Sequence, residues 1–229
     1  PQINLVLLDD AFQHRYVKPT VSVLVAEYNR PVYRDHLLPY GRLREGRRGL
    51  YRADILVVSK CPAKLRPFDY RVETRNYDLY PYQHLFFSRF GYRPLKPVFP
   101  DNATSFPYLD YLTPSDSLLA VAGIGNPRPF VRYLKGFDAV VKVDVFPDHH
   151  NYTRKDFDPL LARYRALKGR QRIIVTTEKD AVRMVNNPYF PHELKAVTYY
   201  LPIEVEMVDN SSTATTDKSL EEVLRDLIK

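Results

Sequence analysis

Short apolar runs in the first part of the chain are typical of strands in a parallel sheet. Residues 3–8 are nearly all apolar and are followed by two carboxylates, as in a strand buried on both faces. Residues 21–26 and 55–59 predict two further strands of this kind. The intervals between these runs leave room for short helices or loops, so this part is predicted to be α/β with a parallel sheet.

The pattern changes in the middle of the chain. Aromatic and polar residues alternate over 85–98, and a polar stretch with several prolines follows over 100–114. This composition favours strands, turns and a linker. We predict a first domain over 1–92, a strand-containing linker over 93–114 and a second, smaller α/β domain over 115–229.

The second part of the chain begins again with a strand, a turn and a helix. Residues 118–122 predict the strand, and the turn at 123–126 leads into a helix with Asn126 as its N-cap. Further strands are predicted over 139–145 and 172–176. The whole chain is therefore predicted to be α/β in both parts.

Amphipathic helices complete the predicted elements. Apolar residues recur at helical spacing over 157–167, as on the core face of a helix. Thr177 is predicted to cap the helix that follows it. The last helix is predicted to begin at the cap Asp217, and its acidic polar face favours docking on the protein over binding to a membrane.

Composition excludes several classes of protein. With 45% hydrophobic and 27% charged residues among 229, the chain is neither disordered, collagen-like nor of low complexity. No apolar run approaches the ~18 residues of a spanning helix. The single Cys61 fits a reducing compartment. The chain has no signal peptide and opens within an apolar run, so we expect it to be part of a longer protein.

The net charge of +7 is concentrated in one segment. Residues 30–52 contain seven arginines and only two carboxylates. Arginine suits bidentate contacts with phosphate or carboxylate, so we expect an anionic partner there. A solvated basic loop is the alternative interpretation of the same residues.

Asp9 and Asp10 follow the first predicted strand. The carboxyl end of a parallel strand is where open α/β sheets bind ligands, and an acidic residue in this position holds Mg²⁺ in phosphoryl-transfer enzymes. Gln13 and His14 come directly afterwards and add polar groups at the same edge.

Three more segments follow strand ends in the second part. The turn at 123–126 is either a phosphate cradle or a tight turn without a ligand. His149 beside Asp148 suits proton transfer, or forms a hydrogen-bonded structural pair; a zinc site lacks further ligands. The segment 177–180 either faces a ligand or only caps its helix.

Five segments carry a resemblance to a known family. They are LLDDAFQHR at 7–15, LLPYGRLRE at 37–45, VAGIGNPRPF at 121–130, FPDHHNY at 146–152 and TEKDAVR at 177–183. In this order they resemble the tetraacyldisaccharide 4′-kinases of lipid A biosynthesis. The resemblance implies ATP-dependent phosphorylation of the 4′-hydroxyl of an acylated glucosamine disaccharide 1-phosphate. It also implies a P-loop kinase core joined to a smaller α/β domain, working in peripheral association with the cytoplasmic face of the bacterial inner membrane.

The resemblance also assigns roles to residues. By position, Asp9 and Asp10 match a Walker-B-type pair that organises Mg²⁺-ATP, with Gln13 and His14 beside the nucleotide. His149 matches a histidine that helps to activate the sugar hydroxyl, and His149 and Asp10 are the catalytic residues that we expect from the resemblance. His149 is expected across a cleft from the acidic pair.

Other matched residues have less defined roles. Arg44, Glu45 and Asp148 fall where the substrate is expected to bind. A supporting role is implied for four residues: Thr177, Glu178, Lys179 and Asp180.

The chain departs from the family pattern in two ways. Ala11 stands where the family more often has Gly. No G-x-x-x-x-G-K-[ST] sequence, and no Gly-Lys dipeptide, occurs in the 229 residues, so we expect them to have negligible kinase activity by themselves. The alternative function is a module that binds anionic lipid or nucleic acid through the arginines of 30–52, although no nucleic-acid-binding pattern accompanies them.

Overall fold

The computed structural model describes residues 3–62, 64–103, 107–208 and 217–229. The chain divides into two compact units, one made of 1–90 with 205–229 and the other of 91–204. The predicted α/β class is confirmed, because each unit contains a sheet with parallel strands and helices packed on it.

The first sheet has four strands in the order β1-β2-β3-β9. They are β1 (Val23–Glu27), β2 (Ile55–Ser59), β3 (His84–Tyr92) and β9 (Ile203–Met207). β2 is parallel to both β1 and β3, and its central position buries four of its five residues. Helix α1 (Pro67–Tyr77) connects β2 to β3, as a parallel crossover requires.

The last helix, α6 (Leu220–Ile228), packs in this first unit. Its Val223 is 2% exposed and lies in a cluster with Ile55, Val57 and Phe86 of the sheet. The predicted docking of this helix is confirmed, but residues 205–229 fall in the first unit rather than with 115–204. The predicted cap Asp217 is wrong, because Ser219 accepts the capping hydrogen bond from the Glu222 amide.

The second sheet has five strands in the order β4-β8-β7-β5-β6. They are β4 (Lys96–Pro97), β5 (Ser117–Ala122), β6 (Val140–Val145), β7 (Arg172–Thr177) and β8 (Thr198–Leu201). All neighbours are parallel except the short edge strand β4. β5 lies between β6 and β7, and all six of its residues are buried.

Four helices belong to the second unit: α2 (Arg128–Leu134), α3 (Arg154–Arg165), α4 (Glu178–Val185) and α5 (His192–Lys195). Successive residues of β5 point to opposite faces, so Leu118 packs with Phe130 of α2 and Leu119 packs with Phe157 of α3. The sheet is therefore covered on both faces. Helix α2 begins after the predicted cap, although Asn126 Oδ1 still accepts the Arg128 amide at 3.3 Å.

The predicted strand over residues 3–8 is wrong. These residues form no strand in the described part of the chain, and they are exposed, Leu7 by 85%. A strand buried on both faces needs a paired neighbour and two covering layers, and the described residues supply neither to this run. The strand predicted over 21–26 does form, as β1, but it was expected to be buried on both faces. It lies instead at the edge of the sheet, with Val25 62% exposed.

Candidate active site

The connections of the second sheet create a crevice at the carboxyl ends of its strands. From β5 the chain goes to β6 on one side and then crosses to β7 on the other. In open α/β sheets this reversal of direction marks the ligand site, because the loops leave adjacent strands in opposite directions. The segments 123–127, 146–153 and 177–183 follow β5, β6 and β7 at this edge.

Asp180 ties two of these segments together. Its side chain is fully buried, and its Oδ2 accepts the Gly123 amide at 2.9 Å and the Thr177 hydroxyl at 2.6 Å. Thr177 is the N-cap of α4, as predicted, and accepts the Asp180 amide at 3.2 Å. The carboxylate therefore joins the end of β5 to the start of α4.

Arg183 extends this network to the surface. Its Nη1 donates to Asp180 Oδ1 and to the carbonyl oxygen of Gly123, both at 3.2 Å. Its Nη2 lies 3.2 Å from Nδ1 of His149. One guanidinium thus contacts the segments that follow β5, β6 and β7.

His149 is presented to solvent in a constrained backbone conformation. Its φ is 57°, in the left-handed region, and its side chain is 77% exposed. Asp148 accepts the His149 amide at 3.0 Å, but its Oδ1 lies 3.9 Å from the imidazole Nε2. The nearest polar partner of the ring is therefore Arg183, and Asp148 instead helps to fix the loop.

The second histidine of the loop has a packing role. The ring of His150 stacks on Phe146 with centroids 4.8 Å apart, and its Nε2 lies 3.2 Å from Asp156 Oδ2. Burial opposes ionisation of Asp156, yet the hydrogen bonds from Thr153 and the nearby His150 lower the pKa of that carboxyl. These contacts hold the loop against the first turn of α3.

The buried hydroxyl of Tyr152 lies beside this network, near Gly123. Tyr152 is buried, and this burial raises the pKa of its phenol; the negative charge of nearby Asp180 raises it further. A methyl group on Gly123 would lie 2.9 Å from Asp180 Oδ1 and 3.1 Å from the Tyr152 hydroxyl, so any larger residue would force a buried side chain to shift. Gly125 is similarly close to the carboxylate of Asp148. With carboxylates this near, the turn fits the interpretation of a tight turn better than that of a phosphate cradle.

Asp9 and Asp10 lie on an exposed turn of the first unit. Asp10 has a φ of 50°, a conformation that Asp tolerates better than most residues. Among the residues that the structure describes, no three His, Cys, Asp or Glu side chains are grouped to hold a metal ion. Mg²⁺ is commonly held by one or two carboxylates, with phosphate oxygens and water completing its shell, so the donor chemistry of this pair fits Mg²⁺.

Glu45 connects the turn that follows the acidic pair to the arginine-rich segment. Its carboxylate accepts two hydrogen bonds from Arg52, at 2.6 and 2.9 Å, and one from Arg15 at 2.8 Å. Gln13 Nε2 lies 3.4 Å from the same carboxylate. The bond from Arg52 lowers the pKa of Glu45 most, to about 2, against the opposing effect of burial. In this structure Glu45 therefore holds two segments of the protein together, and His14, between Gln13 and Arg15 in the chain, is exposed.

The remaining arginines of this segment face solvent. Arg44, Arg47 and Arg48 are exposed. Arg47 and Arg48 line an open cavity of about 750 Å³ together with Leu38 and Tyr40. The cavity therefore combines cationic groups with exposed apolar side chains.

Most of the site residues predicted for the second unit lie close together in the structure, but the sequence analysis did not include Arg183 among them. Asp148, His149, Thr177 and Asp180 lie at one sheet edge, as their positions after strands predicted, while Glu178 and Lys179 are exposed. The spacing of Arg183 three residues after Asp180 was a signal for an ion pair on one helix face. The predicted placement of His149 across a cleft from Asp9 and Asp10 stays a prediction.

Comparisons with known proteins identify relatives of the chain. A family model described as LpxK, tetraacyldisaccharide-1-P 4′-kinase, matches residues 1–225. The tetraacyldisaccharide 4′-kinase of Bacteroides thetaiotaomicron is 46% identical over 216 residues, 92% of this chain and 57% of that protein. The enzyme of the same description from Porphyromonas gingivalis is 39% identical over 221 residues, 95% of this chain and 60% of that protein. The chain thus spans less than two thirds of these relatives.

A solved structure shows the same fold. It is the crystal structure described as the "apo" form of LpxK from Aquifex aeolicus in complex with ATP. The TM-score is 0.56 at 22% sequence identity, and the match covers 96% of this chain and 55% of that one.

Proposed function

Because the chain belongs to the tetraacyldisaccharide-1-phosphate 4′-kinase family, we propose that the protein transfers a phosphoryl group from ATP to the 4′-hydroxyl of an acylated glucosamine disaccharide 1-phosphate. This reaction is a step of lipid A biosynthesis. The observation that carries the proposal beyond family membership is the cluster of Asp148, His149, Asp180 and Arg183 at the ligand-binding edge of a parallel sheet. The alternative of a separate lipid- or nucleic-acid-binding module has no support from the relatives.

His149 is the proposed catalytic residue of this unit. Its imidazole is exposed at the crevice, and its backbone is fixed by the contact of its amide with Asp148. A hydroxyl that attacks a phosphoryl group must lose its proton, and a positioned imidazole assists such a transfer through a carboxylate that takes the proton. Asp148 is proposed to hold the loop in the conformation that presents His149 to the sugar.

Asp9 and Asp10 are the proposed ligands of Mg²⁺. The exposed carboxylates are accessible to a metal ion that arrives with a nucleotide. When bound, Mg²⁺ offsets the charge of the nucleotide phosphates. Glu45 holds Gln13 and Arg15, which follow the acidic pair in the chain, and we propose that it thereby steadies this part of the chain.

The arginine-rich segment is the proposed contact for the anionic, acylated substrate. Arg44, Arg47 and Arg48 supply charge, and the cavity beside them also offers Leu38 and Tyr40. A phosphorylated glycolipid carries both a charged and an apolar part, which this lining matches. Within the described ranges, no helix combines the length and apolarity of a membrane span. The cationic and apolar lining of this cavity supports our further proposal of peripheral association with the cytoplasmic face of the inner membrane.

The proposal is tested in a chimera that joins this chain to the part of the Bacteroides thetaiotaomicron relative that it does not match. Incubation with ATP and tetraacyldisaccharide 1-phosphate is expected to give the 4′-phosphorylated product, identified by mass spectrometry. Asp10→Asn is expected to lower the rate about 100-fold or more, because it removes a charged metal ligand. A folded chimera that binds ATP and transfers no phosphate would contradict the proposal.

A further inference from the structure

We propose that Arg183 is a positioning residue that fixes the tautomer and orientation of His149, so that the neutral imidazole presents an Nε2–H donor to its ligand. The inference rests on the proposed function for its catalytic meaning, but its structural part stands independently. It assigns a role to a side chain outside the residues that sequence reasoning selected. Three contacts carry it.

In the contact between Arg183 and His149, the guanidinium is the donor. Arginine has five N–H donors and no acceptor, and it stays protonated in proteins. Its Nη2 lies 3.2 Å from Nδ1 of His149, so the bond forms only when Nδ1 offers its lone pair. In the neutral ring the proton then resides on Nε2. This arrangement favours the Nε2–H tautomer and leaves that N–H for a partner at the exposed end of the ring.

The guanidinium of Arg183 is itself held in place by Asp180 and Gly123. Arg183 Nη1 donates to the buried Asp180 carboxylate and to the Gly123 carbonyl, which leaves Nη2 for His149. Asp180 is in turn held by the amide of Gly123. The planar guanidinium of Arg183 therefore connects the exposed imidazole of His149 to the buried Asp180 carboxylate and to Gly123 at the end of β5.

The contacts of residue 183 require the geometry of an arginine side chain. Three acceptors on three segments surround the side chain: Gly123 O, Asp180 Oδ1 and His149 Nδ1. The guanidinium contacts these acceptors through Nη1 and Nη2, whose positions are fixed relative to each other by its planar geometry. A lysine at this position has one nitrogen on a flexible stem, and we expect it to keep the charge contact with Asp180 and to lose His149.

The tautomer is measured first in the unmodified chain. The six histidines are labelled with ¹⁵N, and His149 is assigned by the loss of its signals in His149→Asn, a residue that tolerates the left-handed φ of 57°. At mildly alkaline pH, where free imidazole is neutral, we expect an unprotonated Nδ1 and a protonated Nε2 in essentially one tautomer. A protonated Nδ1, or the tautomer mixture of free histidine, would overturn the inference without any activity measurement.

Variants separate positioning from folding. Arg183→Lys is expected to return His149 to the mixture of the free side chain while the amide spectrum of the unit is retained. The matched control is Arg132→Lys on the exposed face of α2, which should leave the ring signals unchanged. If Arg183→Lys also leaves them unchanged, Arg183 has no part in fixing the ring.

The catalytic consequence is measured in the active chimera. Arg183→Lys is expected to lower kcat about 10- to 100-fold with little change in KM, because the reacting group is displaced rather than removed. Since Arg183 acts through His149, adding Arg183→Lys to His149→Asn should cause no further loss. Multiplicative losses would show that Arg183 acts elsewhere. A folded chimera that binds ATP but is inactive refutes the proposed function, whereas the measurement on the His149 ring still decides the role of Arg183.

Discussion

At the scale of single residues, Asp180 has the largest expected effect on stability. Its carboxylate is fully buried and accepts hydrogen bonds from a backbone amide, a hydroxyl and a guanidinium. A buried charge with complete hydrogen bonding is costly to disturb, because its partners stay buried when it is changed.

We therefore predict that Asp180→Asn lowers the free energy of unfolding by about 2–4 kcal/mol, since the new amide turns N–H donors toward existing donors. Urea denaturation followed by circular dichroism measures the change. Glu178→Gln, on the exposed side of the same turn, should stay within about 0.5 kcal/mol. Equal stability of the Asp180 variant and wild type would contradict the buried network.

A second prediction concerns Glu45, whose contribution to the free energy of unfolding depends on pH. Its pKa of about 2 in the folded chain lies below the ordinary 4.5. The stabilisation is thus present above pH 4.5 and is lost as the pH falls toward 2. Glu45→Gln should lower the free energy of unfolding by about 1–3 kcal/mol at neutral pH.

The difference between wild type and Glu45→Gln should shrink as the pH falls through that window, which urea titrations at several pH values measure. Glu221→Gln is a suitable control, because its pair with Arg225 is exposed on α6 and contributes little. A difference that is constant from neutral to acid pH would show that Glu45 contributes by packing and not by charge.

At the scale of elements, strands with continuous burial were predictable. β2, β5 and β7 lie within one residue of the predicted positions, because apolar runs of this length fit strands covered on both faces. The run at 3–8 has the same pattern but no strand, since pairing depends on neighbours that an apolar pattern does not specify. The pattern reports which residues prefer burial and cannot report what covers them.

Helix ends were predictable where one polar side chain was a clear cap. Thr177 caps α4 as expected. At α6 the sequence analysis predicted Asp217 as the cap and overlooked Ser219, which forms a reciprocal capping box with Glu222.

The capping of α6 leads to an element-scale prediction. Ser219→Ala should lower the free energy of unfolding by about 1 kcal/mol, because the Glu222 amide loses its acceptor at the helix start. Asp217→Ala is the matched control and should have no measurable effect. Thermal denaturation of the two variants decides between the caps, and a larger effect of Asp217→Ala would restore the cap predicted from the sequence.

At the scale of the whole molecule, the site residues of the second unit were predictable from their positions after parallel strands. His149 and Asp180 follow β6 and β7, and strands of one parallel sheet end at a common edge. Which atoms meet was not predictable. The contact of His149 with Arg183 in place of Asp148 depends on the left-handed turn of the loop, which a pattern of residue types does not specify.

The distribution of charge leads to a prediction for the membrane. Binding of the chain to vesicles that contain anionic lipid should weaken as salt is raised, because exposed charges are screened. Arg47→Gln combined with Arg48→Gln should reduce binding about 30-fold, since each cationic residue near the surface contributes about 1 kcal/mol. Flotation measures this, with Arg132→Gln as the control of equal charge change per site. Equal binding to neutral and anionic vesicles would contradict the membrane proposal.

The central claim is that these residues form part of a sugar-lipid 4′-kinase whose second unit acts through His149. The most direct measurement is the single-turnover rate of phosphoryl transfer from ATP to tetraacyldisaccharide 1-phosphate by the chimera, compared with its His149→Asn variant. We predict a 4′-phosphorylated product and a loss of about 10²- to 10⁴-fold in the variant, with nucleotide binding retained. Transfer at an undiminished rate in the variant, or phosphorylation at another position, would contradict the account.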